Sequence, residues 1–385
     1  MSTEAEQHAP MPASGHRPLN VAIIGCGAVG QREAAAVSSI PDLRLVAISD
    51  FGPAFRHLAL QMGSQYGCDT VHDWRHLVAR NDIDIVVVAT PNAFHREMSI
   101  EAMKQGKHVL CEKPLATTAE DAEEMVATAR VTGARLMTNF NHRAHDHARR
   151  ARQLLDQGRI GRPLFFRGRI GHSRFVVGGT AEAPTPFQGK PIWNLDPAQS
   201  GGGTLIDNGV HLLDLARWLM GTEFVEAEGF LTHNLAPGDQ GPPGGPEGAR
   251  RACEDNAFAL LRAADGRVAS IHSSWMHWQG YLYLEIFGTH GTLVVDNDQI
   301  QGEVSHHVFD RHGDPIASTI ERPALAKPDP SWRRHLQELV DAIREGRDPS
   351  PCGWDGLRVS RMVDALYRSA ASGKVERIPA DAAAP

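Results

Sequence analysis

Two kinds of apolar patterning divide the chain. From residue 19, short and nearly continuous apolar runs recur: LNVAIIG (19–25), LRLVAISD (43–50), IDIVVVAT (83–90), KHVLCEK (107–113) and ARLMTNF (134–140). Such runs suit strands buried on both faces. Segments with helical spacing separate them, at about 28–39, 53–66, 92–105 and 118–132. The last opens on Thr117-Thr118 ahead of Glu120 and Asp121, an N-terminal capping signal. Strand and helix in alternation predict an α/β domain over residues 19–140, built on a doubly wound parallel sheet.

After about residue 140 the pattern changes. A polar helix (about 143–157) ends at Gly158. LFFRGRIG, FVEAEGFLTHN, NAFALLRA, VASIHSSWM, YLYLEIFG and GTLVVD then alternate apolar with polar residues. That is the signature of antiparallel strands with one exposed face. A helix at about 203–220 interrupts them, and APGDQGPPGGPEGAR (236–250) reads as a flexible Gly/Pro loop. Two helices, about 331–345 and 354–371, close the chain. The second domain, residues 141–380, is therefore expected to be α+β. Its C-terminal helices (331–371) are candidates to pack back on the first domain. Residues 1–18 carry no apolar periodicity and read as a disordered tail.

Composition narrows the class of protein. At 385 residues the chain is long enough for two cores. Hydrophobic residues make up 42% and charged residues 22%, an ordinary globular balance. A net charge of -7 argues against a nucleic-acid or membrane-surface partner. No apolar run reaches a spanning length, and none near the start resembles a signal peptide. The five cysteines (26, 68, 111, 253 and 352) are scattered and lack any CxxC pair. Free thiols in a reducing cytoplasm are expected, with neither disulfides nor a metal site.

VAIIGCGAVGQ holds Gly25, Gly27 and Gly30 in G-x-G-x-x-G spacing, with Ala28 and Val29 between the last two. The motif follows the first strand and opens a helix, the context of a Rossmann dinucleotide site. The first glycine allows the tight turn, the second lets the backbone approach a pyrophosphate, and the third lets helix and strand pack closely. The phosphates then lie over free N–H groups at the helix N-terminus. A plain glycine-rich turn is the alternative. Asp50 ends the second strand and suits the adenosine ribose hydroxyls, while it would repel a 2'-phosphate. The expected cofactor is NAD, with NADP the minority reading because Arg56 lies a turn further on. Thr90, Pro91, Asn92 and His95 fall at the carboxyl end of the next strand, on the cofactor side.

Only 6 of the 39 basic residues are Lys, yet Lys113 ends a strand at that same rim, directly after Glu112. Arg cannot usefully titrate, whereas a partly buried Lys can. GGGTLIDNGVHLLDLARWLMG (201–221) places Asp207 and His211 four apart, on one helical face, with Asp214 near the same stripe. A solvent-facing or core Asp/His pair is the plain reading of that spacing. A metal site lacks a convincing third ligand.

Taken together, EKPL after the fifth strand and GGGxxxDxxxH at a helix start resemble the Gfo/Idh/MocA family of glucose-fructose oxidoreductase and inositol dehydrogenase-like proteins. ATPN..H, GRIGRP (158–163) and FGTHGTL (287–293) extend the resemblance over about residues 19–375. It implies a Rossmann domain followed by an α+β domain with an open, mostly antiparallel sheet used for homodimer or homotetramer contacts. It also implies NAD(P)-dependent oxidation at a hydroxyl of a sugar, aminosugar or cyclitol. The family's catalytic Lys, Asp and His fall on Lys113, Asp207 and His211. Chemistry then favours His211 as general base, Asp207 as its orienting group and Lys113 as the cation facing the developing alkoxide. Exchange of the base role between Lys113 and His211 stays open. So do a ketosugar reductase, an NAD-dependent glycosidase without net redox change, and a dinucleotide-sensing regulator.

Other candidates carry less. In NFNHRAHDHARR, Asn139 is placed with the cofactor residues and Arg143 with the substrate, and His142, His145 and His147 line a polar helix. Trp193 in KPIWNLDP is placed over the nicotinamide site by the resemblance. Trp275 or Trp278 could face a sugar, and the segment 171–195 is expected to shape substrate choice.

Overall fold

The computed structural model describes residues 16–50, 55–173, 192–233, 253–298, 302–310, 312, 314–321 and 329–380. In the first domain, strands β1 (Leu19–Ile24), β2 (Leu43–Ser49), β3 (Asp69–Val71), β4 (Ile85–Val88), β5 (His108–Cys111) and β6 (Leu136–Thr138) alternate with helices. These are α1 (Ala28–Ser38), α2 (Arg56–Tyr66), α3 (Trp74–Val78), α4 (His95–Lys104) and α5 (Ala119–Thr132). The strands pair in parallel in the order β3-β2-β1-β4-β5-β6, the doubly wound arrangement the apolar runs require. β1 and β4 lie at the centre, and Val21 to Ile24 and Ile85 to Val88 are fully buried. Ala34, Val37, Ala59 and Met62 cover one face of the sheet, while Leu77, Met98, Met103, Ala122 and Met125 cover the other.

The second domain begins with α6 (Asp146–Asp156) and β7 (Pro163–Ser173), then α7 (Pro197–Ser200) and α8 (Val210–Met220). Next come β8 (Phe224–Thr232), β9 (Asn256–Ala263), β10 (Val268–Ser274), β11 (Met276–Gly288), β12 (Gly291–Asp298), β13 (Gly302–Phe309) and β14 (Pro315–Glu321). Helices α9 (Ser331–Glu345) and α10 (Gly353–Ser372) and the short β15 (Glu376–Arg377) complete it. Among the described residues these strands form one nine-stranded open sheet in the order β14-β13-β12-β11-β7-β10-β9-β8-β15. Only the β7–β10 pairing is parallel among them. α8 lies against one face, where Leu212, Leu213, Leu215 and Ala216 meet Phe166, Leu261, Ile271 and Leu284. On β9 the alternation is strict: Ala257, Ala259, Leu261 and Ala263 point in, and Phe258 and Leu260 point out.

Several elements differ from the pattern-based expectation. β3 and α3 were not anticipated, since Asp69–Val71 is short and polar at a sheet edge. β13 and β14 were not either, and β14 is exposed along nearly its whole length. The helix expected at 203–220 starts as a π-helical turn, Leu205–Gly209, before α8. The 236–250 loop and most of 171–195 lie outside the described residues.

Both C-terminal helices also contribute to the first domain's cores. Leu336, Leu339 and Val340 of α9 join the cluster that holds α1 and α2, and Leu357 of α10 joins the one that holds α4 and α5. Beside α10 a buried ion network forms. The Arg143 guanidinium donates to Asp214 Oδ2 at 2.7 Å, to Asp214 Oδ1 at 2.5 Å and to Asp355 Oδ1 at 3.0 Å. Asp214 is 1% exposed, so its charge depends on that guanidinium. Arg143 is therefore committed to α8 and α10, and the placement of its side chain with the substrate is corrected. Replacing one partner of such a pair should strand the other. Arg143→Met is expected to cost about 3–5 kcal/mol, seen as a drop in thermal midpoint, and Arg143→Met/Asp214→Leu should recover most of it.

Candidate active site

The turn from β1 into α1 is dictated by close packing. Gly25 has φ of 106°, and a Cβ there would sit 2.3 Å from the Ala89 carbonyl oxygen. A Cβ at Gly30 would sit 1.9 Å from the Gly25 oxygen, so α1 can approach the sheet only with glycine there. At Gly27, by contrast, nothing lies within 4 Å of the Cβ position. That open spot, with exposed Ala28 and half-buried Val29 in the first helical turn, fits a pyrophosphate on the N-terminus of α1. Asp50, at the end of β2, accepts from the Cys26 N–H at 2.8 Å and so braces the glycine turn with a carboxylate oxygen. The cradle fits a dinucleotide.

Residues at the ends of β4 and β5 divide into two groups. Thr90 is buried and Pro91 is half-buried at the rim. The Asn92 amide donates to the Ser200 carbonyl at 2.7 Å, joining the first domain to α7. His95 is fully buried, with Nδ1 2.8 Å from the Pro114 oxygen and Nε2 3.0 Å from the Thr90 oxygen. Its ring ties the two loop ends together from beneath, and its placement among the cofactor contacts is corrected to a bracing role. Trp193 sits half-buried in the 3-10 turn Ile192–Leu195, before α7.

Lys113 and the second domain meet directly. Lys113 Nζ donates to the Asp207 backbone oxygen at 2.7 Å and to Asp207 Oδ1 at 3.2 Å. Lys113 keeps 20% of its side chain exposed and Asp207 13%, a part-buried ion pair between the two domains. The other carboxylate oxygen, Asp207 Oδ2, accepts from the indole N–H of Trp275 at 3.0 Å. Trp275 is fully buried, which corrects its placement against a sugar. The side chain of Trp278 lies outside the described residues. The GGG run serves another backbone: a Cβ at Gly203 would sit 2.0 Å from the Glu254 oxygen. The Glu254 carboxylate accepts from the N–H groups of Gly203 and Leu205 at 2.8 Å each, fixing the start of the π-helical turn.

One turn on, His211 is buried, with its ring stacked on His142 at a centroid distance of 4.0 Å and an interplanar angle of 19°. His145 stacks on His142 in turn, at 4.8 Å. Burial, and after it the Lys113 charge, push the His211 imidazole well below the ordinary histidine range, with Asp207 opposing them. The ring is thus neutral, the form that accepts a proton. Glu112 and Asn139 are joined, the amide donating to Glu112 Oε1 at 2.5 Å. Sequence reading missed Trp275 as an anchor for Asp207, and missed Glu254, Glu33 and His335 altogether. For Glu33 a signal existed: it is a charged residue three places after Gly30, on the face α1 buries. Among the described residues no group of three or more His, Cys, Asp or Glu could hold a metal, and no helix is long and apolar enough to cross a membrane.

A doubly wound sheet with a dinucleotide cradle, its rim lysine Lys113 set against Asp207 and His211 of a second domain, defines a two-domain nicotinamide-dependent oxidoreductase. Residues 19–140 match the family described as "Oxidoreductase family, NAD-binding Rossmann fold", and residues 148–294 match the GFO/IDH/MocA C-terminal domain. The chain belongs to the Gfo/Idh/MocA family. It is 28% identical to levoglucosan dehydrogenase of Pseudarthrobacter phenanthrenivorans, covering 94% of this chain and 98% of that protein. It is 29% identical to inositol 2-dehydrogenase of Rhizobium meliloti, over 91% of this chain and 96% of that protein. A levoglucosan dehydrogenase solved with NADH superposes with a TM-score of 0.83 at 26% identity, covering 95% of this chain and all of that one.

Trp275→Phe keeps the buried ring but removes the donor to Asp207. Turnover should fall by about tenfold or more, the loss of a hydrogen bond to a charged group. NADH binding, followed by fluorescence, should stay within about twofold, because the indole lies on the second-domain side of the site.

Proposed function

We propose that this protein is an NAD-dependent dehydrogenase that oxidises a secondary hydroxyl of an uncharged sugar or cyclitol. The observation that carries this is the meeting of Lys113, Asp207 and neutral His211 at the carboxyl rim of the NAD-binding sheet. NAD, when bound, is the acceptor of the hydride from the substrate carbon. The remaining work falls to the chain. His211 takes the hydroxyl proton, the Lys113 ammonium stabilises the charge growing on that oxygen, and Asp207 holds the ammonium in place. Trp275 keeps the Asp207 carboxylate from turning away, and Glu254 fixes the start of the turn that carries it. Gly25, Gly27, Ala28, Val29, Gly30 and Asp50 hold the adenosine and phosphate end, and Thr90, Pro91, Glu112, Asn139 and Trp193 border the nicotinamide end.

The charge balance supports a neutral substrate. Among the described residues around the cleft, Lys113 is offset by Asp207 and Arg143 by Asp214 and Asp355. A phosphate or carboxylate on the substrate would meet no unpaired cation there.

For partners, we propose a second copy of the chain on the outer face of the nine-stranded sheet. Phe230 is 67% exposed, and Phe258, its cross-strand neighbour, is 43% exposed. Leu260 extends this patch, and His272 stacks on Phe258 at 4.3 Å. Sedimentation should show a dimer or tetramer, and Phe230→Glu/Leu260→Glu should shift it towards monomer.

Incubation with NAD and a panel of sugars and cyclitols should give steady NADH accumulation with at least one neutral polyol. No accumulation with any of them would reject the dehydrogenase reading in favour of a redox-neutral enzyme or a regulator. Lys113→Ala should lower turnover by about 10²–10³-fold, as loss of an oxyanion-stabilising group does, with dinucleotide binding retained. Because the folded His211 resists protonation, the acid limb of kcat/KM should lie below the ordinary histidine value of about 6.5. Asp207→Asn should move that limb lower still, since the carboxylate favours the imidazolium. Asp50→Ala should weaken NAD more than NADP.

A further inference from the structure

Past the carboxyl ends of β5 and β6 lies a buried cluster that the proposed reaction does not use. Asn139 Nδ2 donates to Glu33 Oε1 at 2.8 Å and to Glu112 Oε1 at 2.5 Å. One amide nitrogen thus serves two carboxyl groups, one on α1 and one at the end of β5. The polarity of the amide is set from behind. His335 Nδ1, on α9, lies 2.8 Å from Asn139 Oδ1. Burial holds that imidazole down to about 3, so it is neutral and donates from Nδ1. Both amide hydrogens then face the glutamates. Glu33 is 1% exposed and Glu112 7%, and Glu33 Oε2 has no hydrogen-bond partner among the described residues.

Two carboxylates cannot both stay ionised there. Both carboxyl groups lie within hydrogen-bond reach of one amide nitrogen, close enough for a like charge to disfavour ionisation. Other charged groups around them compensate little. Lys113 spends its ammonium on Asp207, and its backbone N–H is 3.2 Å from Glu112 Oε2. Arg32 acts on Glu112 only through space, and Arg143, whose charge acts on His335, is paired with Asp214 and Asp355. Burial, and then Glu112, raise Glu33 well above the carboxylate range. Burial raises Glu112 to about 7, against the pull of Asn139, Lys113 and Arg32. The pair titrates as a unit, so a single proton belongs to both residues.

We propose that Glu33 and Glu112 share one proton across Asn139, and that the oxidised dinucleotide expels it whereas the reduced one does not. The inference rests on the reading that Glu112 borders the nicotinamide end. Oxidised and reduced dinucleotides carry the same phosphates and differ by one positive charge on the ring. That charge stabilises the doubly ionised pair, and the carboxyl O–H proton passes to solvent. Glu33 is a positioning residue here, acting through Asn139 and Glu112.

Calorimetric titration of the full chain with NAD and, separately, NADH near pH 7, in buffers of different ionisation enthalpy, counts the protons. The expected result is release of about half a proton with NAD and about none with NADH, with NAD affinity rising up to about tenfold from pH 6 to pH 8. Equal proton counts for the two forms in the wild type would overturn the proposal without any variant. Glu33→Gln keeps an acceptor for the amide but removes the acid. It should still bind NADH within about threefold while proton release with NAD falls clearly below the wild-type count, because Glu112 no longer shares its proton with a second carboxyl group. Unchanged release in Glu33→Gln would also overturn it. The two readings separate cleanly. Polyol oxidation with equal proton counts rejects only the shared proton, and selective release without any polyol oxidation rejects only the dehydrogenase.

Discussion

One half-buried ion pair organises the functional half of this molecule. Lys113 comes from the carboxyl end of the parallel sheet, and Asp207 from a π-helical turn in the other domain. Both side chains are mostly removed from water, so neither charge is well solvated alone and each requires the other. Burial first and then the Lys113 charge keep the imidazole of His211 uncharged, with Asp207 opposing them. The Lys113 and Asp207 charges also offset each other. π-helical turns concentrate at functional sites because they change the direction of a few backbone and side-chain groups. Here the turn presents both the carbonyl and the carboxylate of Asp207 to one ammonium.

Such a pair is useful only if the domains cannot drift apart, and several bonds prevent that. Asn92 reaches the backbone of Ser200, Ala119 N–H reaches the Asp364 carboxylate, and α9 and α10 fill both cores of the first domain. The Arg143, Asp214, Asp355 and Arg217 network lies behind the site and ties α8 to α10. Replacing buried ions with apolar residues often costs little stability, so such a network is better understood as fixing a single arrangement than as the main source of stability. The site is thus a property of the whole chain, C-terminal helices included.

Much of the architecture was legible because it rests on local periodicity. Continuous apolar runs announced β1, β2, β4, β5 and β6, and strict alternation announced β9. Where periodicity is weak, as in Asp69–Val71 or the exposed Pro315–Glu321, the strands escaped notice. Those segments are held by ladder partners rather than by burial of one face. Motif spacing brought forward Gly25, Gly27, Gly30, Lys113, Asp207 and His211. Composition around a motif was a poorer guide: His95 and Arg143 lie near the site in sequence, yet their polar atoms are committed to carbonyl oxygens and carboxylates.

The order of strands and helices, the glycine turn and the identity of the rare lysine were determined by the linear chain, because each depends on neighbours within a few residues. Pairing through space was decided only on folding. Asp207 and Trp275 are 68 residues apart, Glu33 and Asn139 106, and Asn139 and His335 196. No spacing rule links such positions. Whether a carboxylate is solvated, paired or sharing a proton depends on what the tertiary fold packs against it.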